Sequence, residues 1–273
     1  MRQIRIFRIF LAILFFVATV AYLFIGPQVH PMAVVSKKAQ IILSAGTTAI
    51  GTILTWLVIT FIFGRIYCST VCPVGTLSDL FIRIRRRIPA LDKKFSYRKQ
   101  TRLPIHILMI YAICLLAGAV AVPYIIEPWN IMRNIASAIN PSAIEATWIN
   151  LGLGIGTGIT AGIVSFVMIA AYSLLRGREF CTHICPLGTA MGLLYEHNIY
   201  HIEIDRDKCV YCGKCEENCK SSCIKTVSAY VDNSRCIRCF DCLAVCPEEA
   251  IRFQPNRNRP ATPLFRKSKQ PQP

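Results

Sequence analysis

Cys209-Val-Tyr-Cys212-Gly-Lys-Cys215-Glu-Glu-Asn-Cys219-Lys220 is followed 27 residues later by Cys236-Ile-Arg-Cys239-Phe-Asp-Cys242-Leu-Ala-Val-Cys246-Pro247. Both runs read C-x2-C-x2-C-x3-C. A tight C-x-x-C-x-x-C loop lets three thiolates reach one face of an iron–sulfur cube. In the bacterial two-cluster spacing the fourth cysteine of each run serves the other cluster. The pattern therefore predicts a small α+β unit with two [4Fe–4S] clusters. Cys209, Cys212, Cys215 and Cys246 would hold the first; Cys236, Cys239, Cys242 and Cys219 would hold the second. A pair of zinc sites would not need two complete copies of this spacing. Lys220 stands where Pro247 follows the second run, and Cys223 falls at the place of Ala250. Proline shapes the turn without being a ligand, and Cys223 reads as a small packed residue.

Outward from this unit the chain changes character. Of 273 residues 53% are apolar and 17% charged, which suits a membrane protein, and the formal net charge is +16. Apolar stretches near 7–26, 41–63, 104–126 and 149–175 approach the ~20 helical residues that cross a hydrocarbon core. The segment 64–103 holds ten Lys or Arg, against two in 27–40 and one in 127–148. Such a bias places the basic flanks, and with them both termini, in the cytoplasm. It also assigns the basic excess to a membrane surface rather than to nucleic acid. Arg2, Arg5 and Arg8 precede a first stretch too long for a signal peptide, with no A-x-A site after it, so it reads as an uncleaved span.

Leu77, Leu80, Phe81, Ile84 and Ile88 recur at helical spacing, with Arg83, Arg85, Arg86 and Arg87 between them. This predicts an amphipathic helix on the cytoplasmic surface of the bilayer. Gly154, Gly158 and Gly162 recur every four residues inside the fourth stretch. They read as a small-residue face for close helix packing, not as a nucleotide loop, which would need a preceding strand.

A second repeat lies at the membrane boundary. Gly64-Arg-Ile-Tyr-Cys68-Ser-Thr-Val-Cys72-Pro73-Val-Gly75-Thr76 matches Gly177-Arg-Glu-Phe-Cys181-Thr-His-Ile-Cys185-Pro186-Leu-Gly188-Thr189. Each copy ends a helical hairpin on its cytoplasmic side. If the hairpins pack about an approximate two-fold axis, Cys68, Cys72, Cys181 and Cys185 converge. Four such thiols suit a further iron–sulfur cluster, a soft ion such as Cu(I), or dithiol/disulfide chemistry. Duplication of thirteen residues argues against two pairs of inert thiols. Cys114, mid-span, reads as packing. The expected architecture is a membrane all-α domain of four transmembrane helices in two repeated hairpins (1–200), the ferredoxin unit (201–253), and a basic, proline-rich, disordered tail (254–273).

Together these motifs resemble the quinol dehydrogenase membrane subunits of periplasmic nitrate reductase systems, the NapH type. They are also similar to MauN-type proteins and to the membrane cores of NosR-type and FixG/CcoG-type proteins. The likeness spans roughly residues 5–252. It implies a multi-pass protein of the bacterial cytoplasmic (inner) membrane that oxidises menaquinol or ubiquinol from the quinone pool. Electrons would pass by iron–sulfur centres to an iron–sulfur or cytochrome partner. A quinol site needs an apolar cleft and a proton acceptor. Glu127, in Glu127-Pro128-Trp129 after the third stretch, is the leading candidate, since a similar stretch occurs there in the family. His30 and Glu145 on the outer side and His106 and His183 on the inner side are the others. The alternative function is a ferredoxin-fed copper or metal reductase, or a metallocofactor assembly factor, working through the C-x-x-x-C-P thiols.

Overall fold

The computed structural model describes residues 2–25, 31–40, 50–90, 94–118, 125–139, 154–194 and 198–255. Most of it is helical. The longest helices are α1 (Arg2–Ile25) and α8 (Gly154–Arg176). Their apolar windows have mean hydropathies of 2.4 and 1.7, and both are long and apolar enough to cross a membrane. α3 (Ile50–Phe63) and α6 (Leu103–Leu116) are as apolar but have 14 residues each. Residues 41–49 and 119–124, which would complete the second and third expected spans, lie outside the described residues. Phe7 and Phe10 on α1, Leu54 and Val58 on α3, Ile110 and Leu116 on α6, and Val164 and Val167 on α8 are all exposed. Contiguous outward apolar surface of this kind marks a lipid or protein contact.

The segments read as outer loops are helices in part. α2 (Pro31–Ala39) and α7 (Pro128–Ile139) each start at a proline, whose fixed φ and missing N–H suit a first helical turn. α2 runs back along α1, with the Thr19 and Ser36 hydroxyls 2.7 Å apart. At its end the Gln40 amide donates to the Val71 carbonyl at 3.2 Å, and Tyr67 donates its hydroxyl to Gln40 at 2.9 Å. α7 packs along α8 so closely that a Cβ on Gly162 would stand 2.1 Å from the Asn134 carbonyl oxygen. The small-residue reading of Gly162 thus has a physical cause in the approach of the α7 backbone.

α5 (Pro73–Arg85) is the expected amphipathic helix, with one correction. Leu77 faces the core, whereas Leu80, Ile84 and Ile88 stay exposed. Arg85 is not on the wet side. It is buried, 4.7 Å from the Phe95 ring centroid.

Beyond α9 (Pro186–Leu193) comes the α+β unit. Strand β1 (Tyr200–Ile204) pairs antiparallel with β4 (Ile251–Pro255), Ile204 opposite Ile251. β2 (Ile224–Lys225) pairs with β3 (Tyr230–Val231). Short helices α10 (Lys214–Glu217) and α11 (Asp241–Val245) complete it. The expected tail (254–273) starts later than its composition suggests, since Gln254 and Pro255 pair with β1, and the remainder lies outside the described residues.

Candidate metal centres

The thirteen-residue repeat folds alike in its two copies. Gly64 and Gly177 take positive φ, +78° and +73°, and turn the chain out of α3 and α8. Cys68 then lies in α4 (Tyr67–Thr70), and Cys181 in a one-turn π-helix (Phe180–Ile184). Cys72 and Cys185 are extended residues at the N-termini of α5 and α9, each followed by proline. The Gly188 N–H donates to Cys185 Sγ at 3.4 Å. Thr76 and Thr189 return their hydroxyls to the carbonyls of Cys72 and Cys185.

The arginine of each copy crosses to the other. Arg65 donates to the Cys181 carbonyl at 2.6 Å, and Arg178 to the Cys68 carbonyl at 2.6 Å. Cys68, Cys72, Cys181 and Cys185 are each 5% exposed and belong to one continuous core cluster. Burial pushes the Cys181 thiol up to about 11 and the Cys72 and Cys185 thiols well above their ordinary value. Neighbouring thiols push Cys72 and Cys185 further in the same direction. Such a site disfavours bare thiolates at Cys72, Cys181 and Cys185. A bound metal would displace the protons, and two buried guanidiniums with two helix N-termini favour an anionic centre. Among the described residues, no three His, Cys, Asp or Glu side chains lie close enough to hold a single metal ion.

In the α+β unit the 27-residue offset reappears in the backbone. Tyr211 and Arg238, Gly213 and Phe240, and Ser222 and Glu249 are equivalent pairs, and all six have positive φ. A left-handed non-glycine residue is uncommon, so the matched pairs mark one loop design used twice. Cys209, Cys212, Cys215 and Cys246 line a single cavity of about 340 Å³ with Thr226 and Ile251. Cys212 is exposed. Cys219, Cys236 and Cys242 share the unit's core, with Cys246 packed against it. Cys223 is buried there as expected, but its surroundings are chemical. Its Sγ lies 3.4 Å from that of Cys219. Hydrogen bonding from Cys223 lowers the Cys219 and Cys236 thiols and raises its own.

The two cysteine systems meet. Ile237 and Cys239 join the core cluster of the four C-x-x-x-C-P thiols. Ser69 donates to the Arg238 carbonyl at 3.3 Å, and buried Arg238 donates to the carbonyls of Phe63 and Tyr200. Lys220, the residue that breaks the C-P pattern, lies 3.1 Å from Asp79 on α5 and 2.7 Å from Asp241 on α11. Arg178 reaches Asp79 at 2.6 Å, and Arg5 reaches Asp241 at 2.8 Å.

Glu127 is not a solvated loop carboxylate. It is 2% exposed, accepting from the Tyr111 hydroxyl at 2.6 Å and from Asn130 at 3.0 Å. His183 is half-buried, with Nδ1 2.9 Å from the Thr182 hydroxyl oxygen, and burial lowers its pKa. His106 opens the second turn of α6, while His30 and Glu145 lie outside the described residues. Sequence reasoning counted Arg65 only as a flanking charge and gave Arg178 no role. Their identical places in the two repeats were the available signal. Nothing in the sequence marked Tyr111 or Gln40.

This arrangement of paired cysteine runs and buried cationic donors defines an iron–sulfur protein of the ferredoxin class. A family model described as a 4Fe–4S binding domain matches residues 45–90 and 159–201, the two copies of the membrane-side repeat. A second model of the same description matches residues 228–251. An uncharacterized protein of Methanocaldococcus jannaschii is 27% identical over 76% of this chain and 73% of its own length. The ferredoxin-type protein NapH of Escherichia coli is 24% identical over 82% and 74%. The methylamine utilization ferredoxin-type protein MauN of Paracoccus denitrificans is 27% identical over 72% and 63%. No solved structure matches significantly. The chain is thus similar to NapH-type and MauN-type ferredoxin-type proteins over 82% and 72% of its length.

Proposed function

We propose that this chain is a multi-pass membrane electron-transfer protein and the iron–sulfur subunit of a quinol-oxidising complex. One [4Fe–4S] cluster is assigned to Cys209, Cys212, Cys215 and Cys246, and a second to Cys236, Cys239, Cys242 and Cys219. A third is assigned to Cys68, Cys72, Cys181 and Cys185. Such clusters supply one-electron transfer when bound. The observation that carries the reading is the exchange of Arg65 and Arg178 between the repeats, which gathers four thiols into the core that also holds Cys239.

The protein's own residues do the remaining work. The exposed apolar faces of α1, α3, α6 and α8 support a four-span arrangement in the cytoplasmic membrane, with both termini inside. Glu127, buried against Tyr111, is the proposed acceptor of a quinol proton, and an ionisable group at such depth is a functional candidate. The quinone pool supplies the substrate, and an iron–sulfur or cytochrome protein receives the electrons.

Anaerobic purification with iron and sulfide analysis tests the assignment. About twelve irons per chain is expected, about eight would empty the membrane-side thiols, and about four would remove a ferredoxin site as well. Reduction of these centres by a menaquinol analogue tests the substrate. No reduction, alone or with partner proteins, would overturn quinol oxidation.

A further inference from the structure

A shallow cleft opens where the membrane part meets the ferredoxin unit, among Arg65, Arg235, Thr182, Thr189, Pro104 and Ile105. Arg235 is only 1% exposed. Its Nε pairs with Asp232 at 2.7 Å and its guanidinium lies 5.5 Å from the Tyr97 ring centroid, but its two terminal nitrogens have no hydrogen-bond partner among the described residues. Arg65 directs its terminal nitrogens to Ser234 and Cys181, leaving its Nε unpaired. Buried unpaired N–H groups are costly, and neither protein purpose described above uses these. The lining includes no carboxylate. Asp232 offsets one of the two guanidiniums, so the cleft keeps a positive excess.

The N-terminus of α6 borders the same space. Its first turn holds Pro104, and no side chain caps it at Arg102. Pro104 has no N–H, and the Ile105 and His106 N–H groups donate to the Arg102 carbonyl, so this helix start supplies apolar surface and the guanidiniums must supply the donors. Two unpaired nitrogens on one buried guanidinium suit a tetrahedral oxyanion, since a guanidinium fork matches phosphate; the Thr182 and Thr189 hydroxyls already donate to the Glu179 and Cys185 carbonyls. Pro104 and Ile105 give the cleft an apolar edge at the start of an apolar helix.

We propose that this cleft binds a phosphate group, either the phosphodiester of an anionic phospholipid or inorganic phosphate. The lipid source rests on the membrane reading; the phosphate source does not. Bound there, the group would join Arg65 of the membrane repeat to Arg235 of the ferredoxin unit.

The test uses the full-length protein, purified anaerobically in phosphate-free detergent. Bound phosphorus is measured by native mass spectrometry. Thermal unfolding is then followed with short-chain phosphatidylglycerol, short-chain phosphatidylcholine or inorganic phosphate added. A rise of several degrees with phosphatidylglycerol alone supports the lipid source, and a rise with inorganic phosphate supports the free anion. Arg235→Lys keeps a cation beside Asp232 but lacks the fork, so it should lose most of the rise. Arg206→Gln, at an exposed arginine of the same unit, should keep it. No bound phosphorus and no shift from either ligand in the unaltered protein would overturn the proposal. An equal shift in Arg235→Lys would overturn it too.

Discussion

Arg178 places its guanidinium 2.6 Å from the carbonyl oxygen of Cys68, a residue of the other repeat. Arg65 does the same to Cys181, so each half of the protein holds the backbone of the other's first cysteine. Small residues make the crossing possible. A Cβ on Gly75 would stand 2.3 Å from the Cys68 oxygen and 2.8 Å from Arg178, and one on Gly188 would stand 2.2 Å from the Cys181 oxygen. Gly188→Ala and Gly75→Ala should therefore each cost about 1–3 kcal/mol, the usual range for overpacking. Both should lower iron content while sparing the ferredoxin clusters. Iron analysis with low-temperature electron paramagnetic resonance checks this. Wild-type iron in both variants would contradict it.

Arg178→Gln tests the same crossing from the other side. It strands Asp79, which Arg178 approaches at 2.6 Å. Breaking a buried ion pair at one partner costs about 3–5 kcal/mol. Because Lys220 still faces Asp79, the lower end is expected. Thermal unfolding of the purified chain gives the measurement, and an unchanged transition would contradict a structural role for the pair.

Lys220 ties the ferredoxin unit to the membrane part through Asp79 and Asp241. Burial opposes the charge on both carboxylates, but Arg178 and Lys220 hold Asp79 far below the usual carboxylate range, and Lys220 lowers Asp241. A carboxylate depressed in the folded state contributes stability above its unfolded pKa of about 3.9, and loses it as pH falls. Docking should thus be insensitive to pH above about 6 and weaken progressively below about 4. Lys220→Met should weaken docking at neutral pH and flatten the acid dependence. Limited proteolysis, followed by release of the Tyr200–Pro255 segment, reports it. A Lys220→Met protein as resistant as wild type at every pH would refute the clamp.

Much of this was legible because its determinants are local. The C-x2-C-x2-C-x3-C spacing is a local rule, and its 27-residue repeat reappears as paired positive-φ positions such as Tyr211 and Arg238. The thirteen-residue duplication likewise announced a two-fold site. What escaped is the pairing across the axis. A sequence repeat shows that Arg65 and Arg178 are equivalent, but not that each serves the opposite copy. Lys220 read as a departure from C-P because its partners, Asp79 and Asp241, lie on other elements. α2 and α7 escaped for another reason. Hydropathy windows detect long lipid-facing runs, whereas α7 turns Trp129, Ile131 and Met132 toward protein. Arg85 was misplaced because a helical wheel cannot foresee the Phe95 ring that covers it.

Gly162 carries the contact between α7 and α8, with the Asn134 oxygen where its side chain would be. Gly162→Leu should push α7 away and cost at least about 1–3 kcal/mol. Since α7 begins beside Glu127, the variant should impair quinol oxidation along with stability. Gly162→Ala should show the same loss in milder form. Thermal unfolding and quinol-dependent reduction, measured on the same preparations, test this. Full stability in Gly162→Leu would exclude the close contact.

Glu127 can be separated from mere support by its chemistry. Tyr111 and Asn130 donate to its two oxygens, so the carboxylate is oriented as well as buried. Glu127→Gln keeps the size and one acceptor oxygen but removes the base. Loss of a positioned proton acceptor typically costs about 10²–10⁴ in rate. Quinol-dependent reduction should fall by that order, while iron content, cluster spectra and reduction by dithionite stay unchanged. Tyr111→Phe keeps the carboxylate and removes one charge-assisted hydrogen bond of about 1.5–3 kcal/mol. It should therefore slow the same step less than Glu127→Gln does. A Glu127→Gln protein that oxidises quinol at the wild-type rate would remove Glu127 from the proton path and move the search to the inner-side histidines, His183 first.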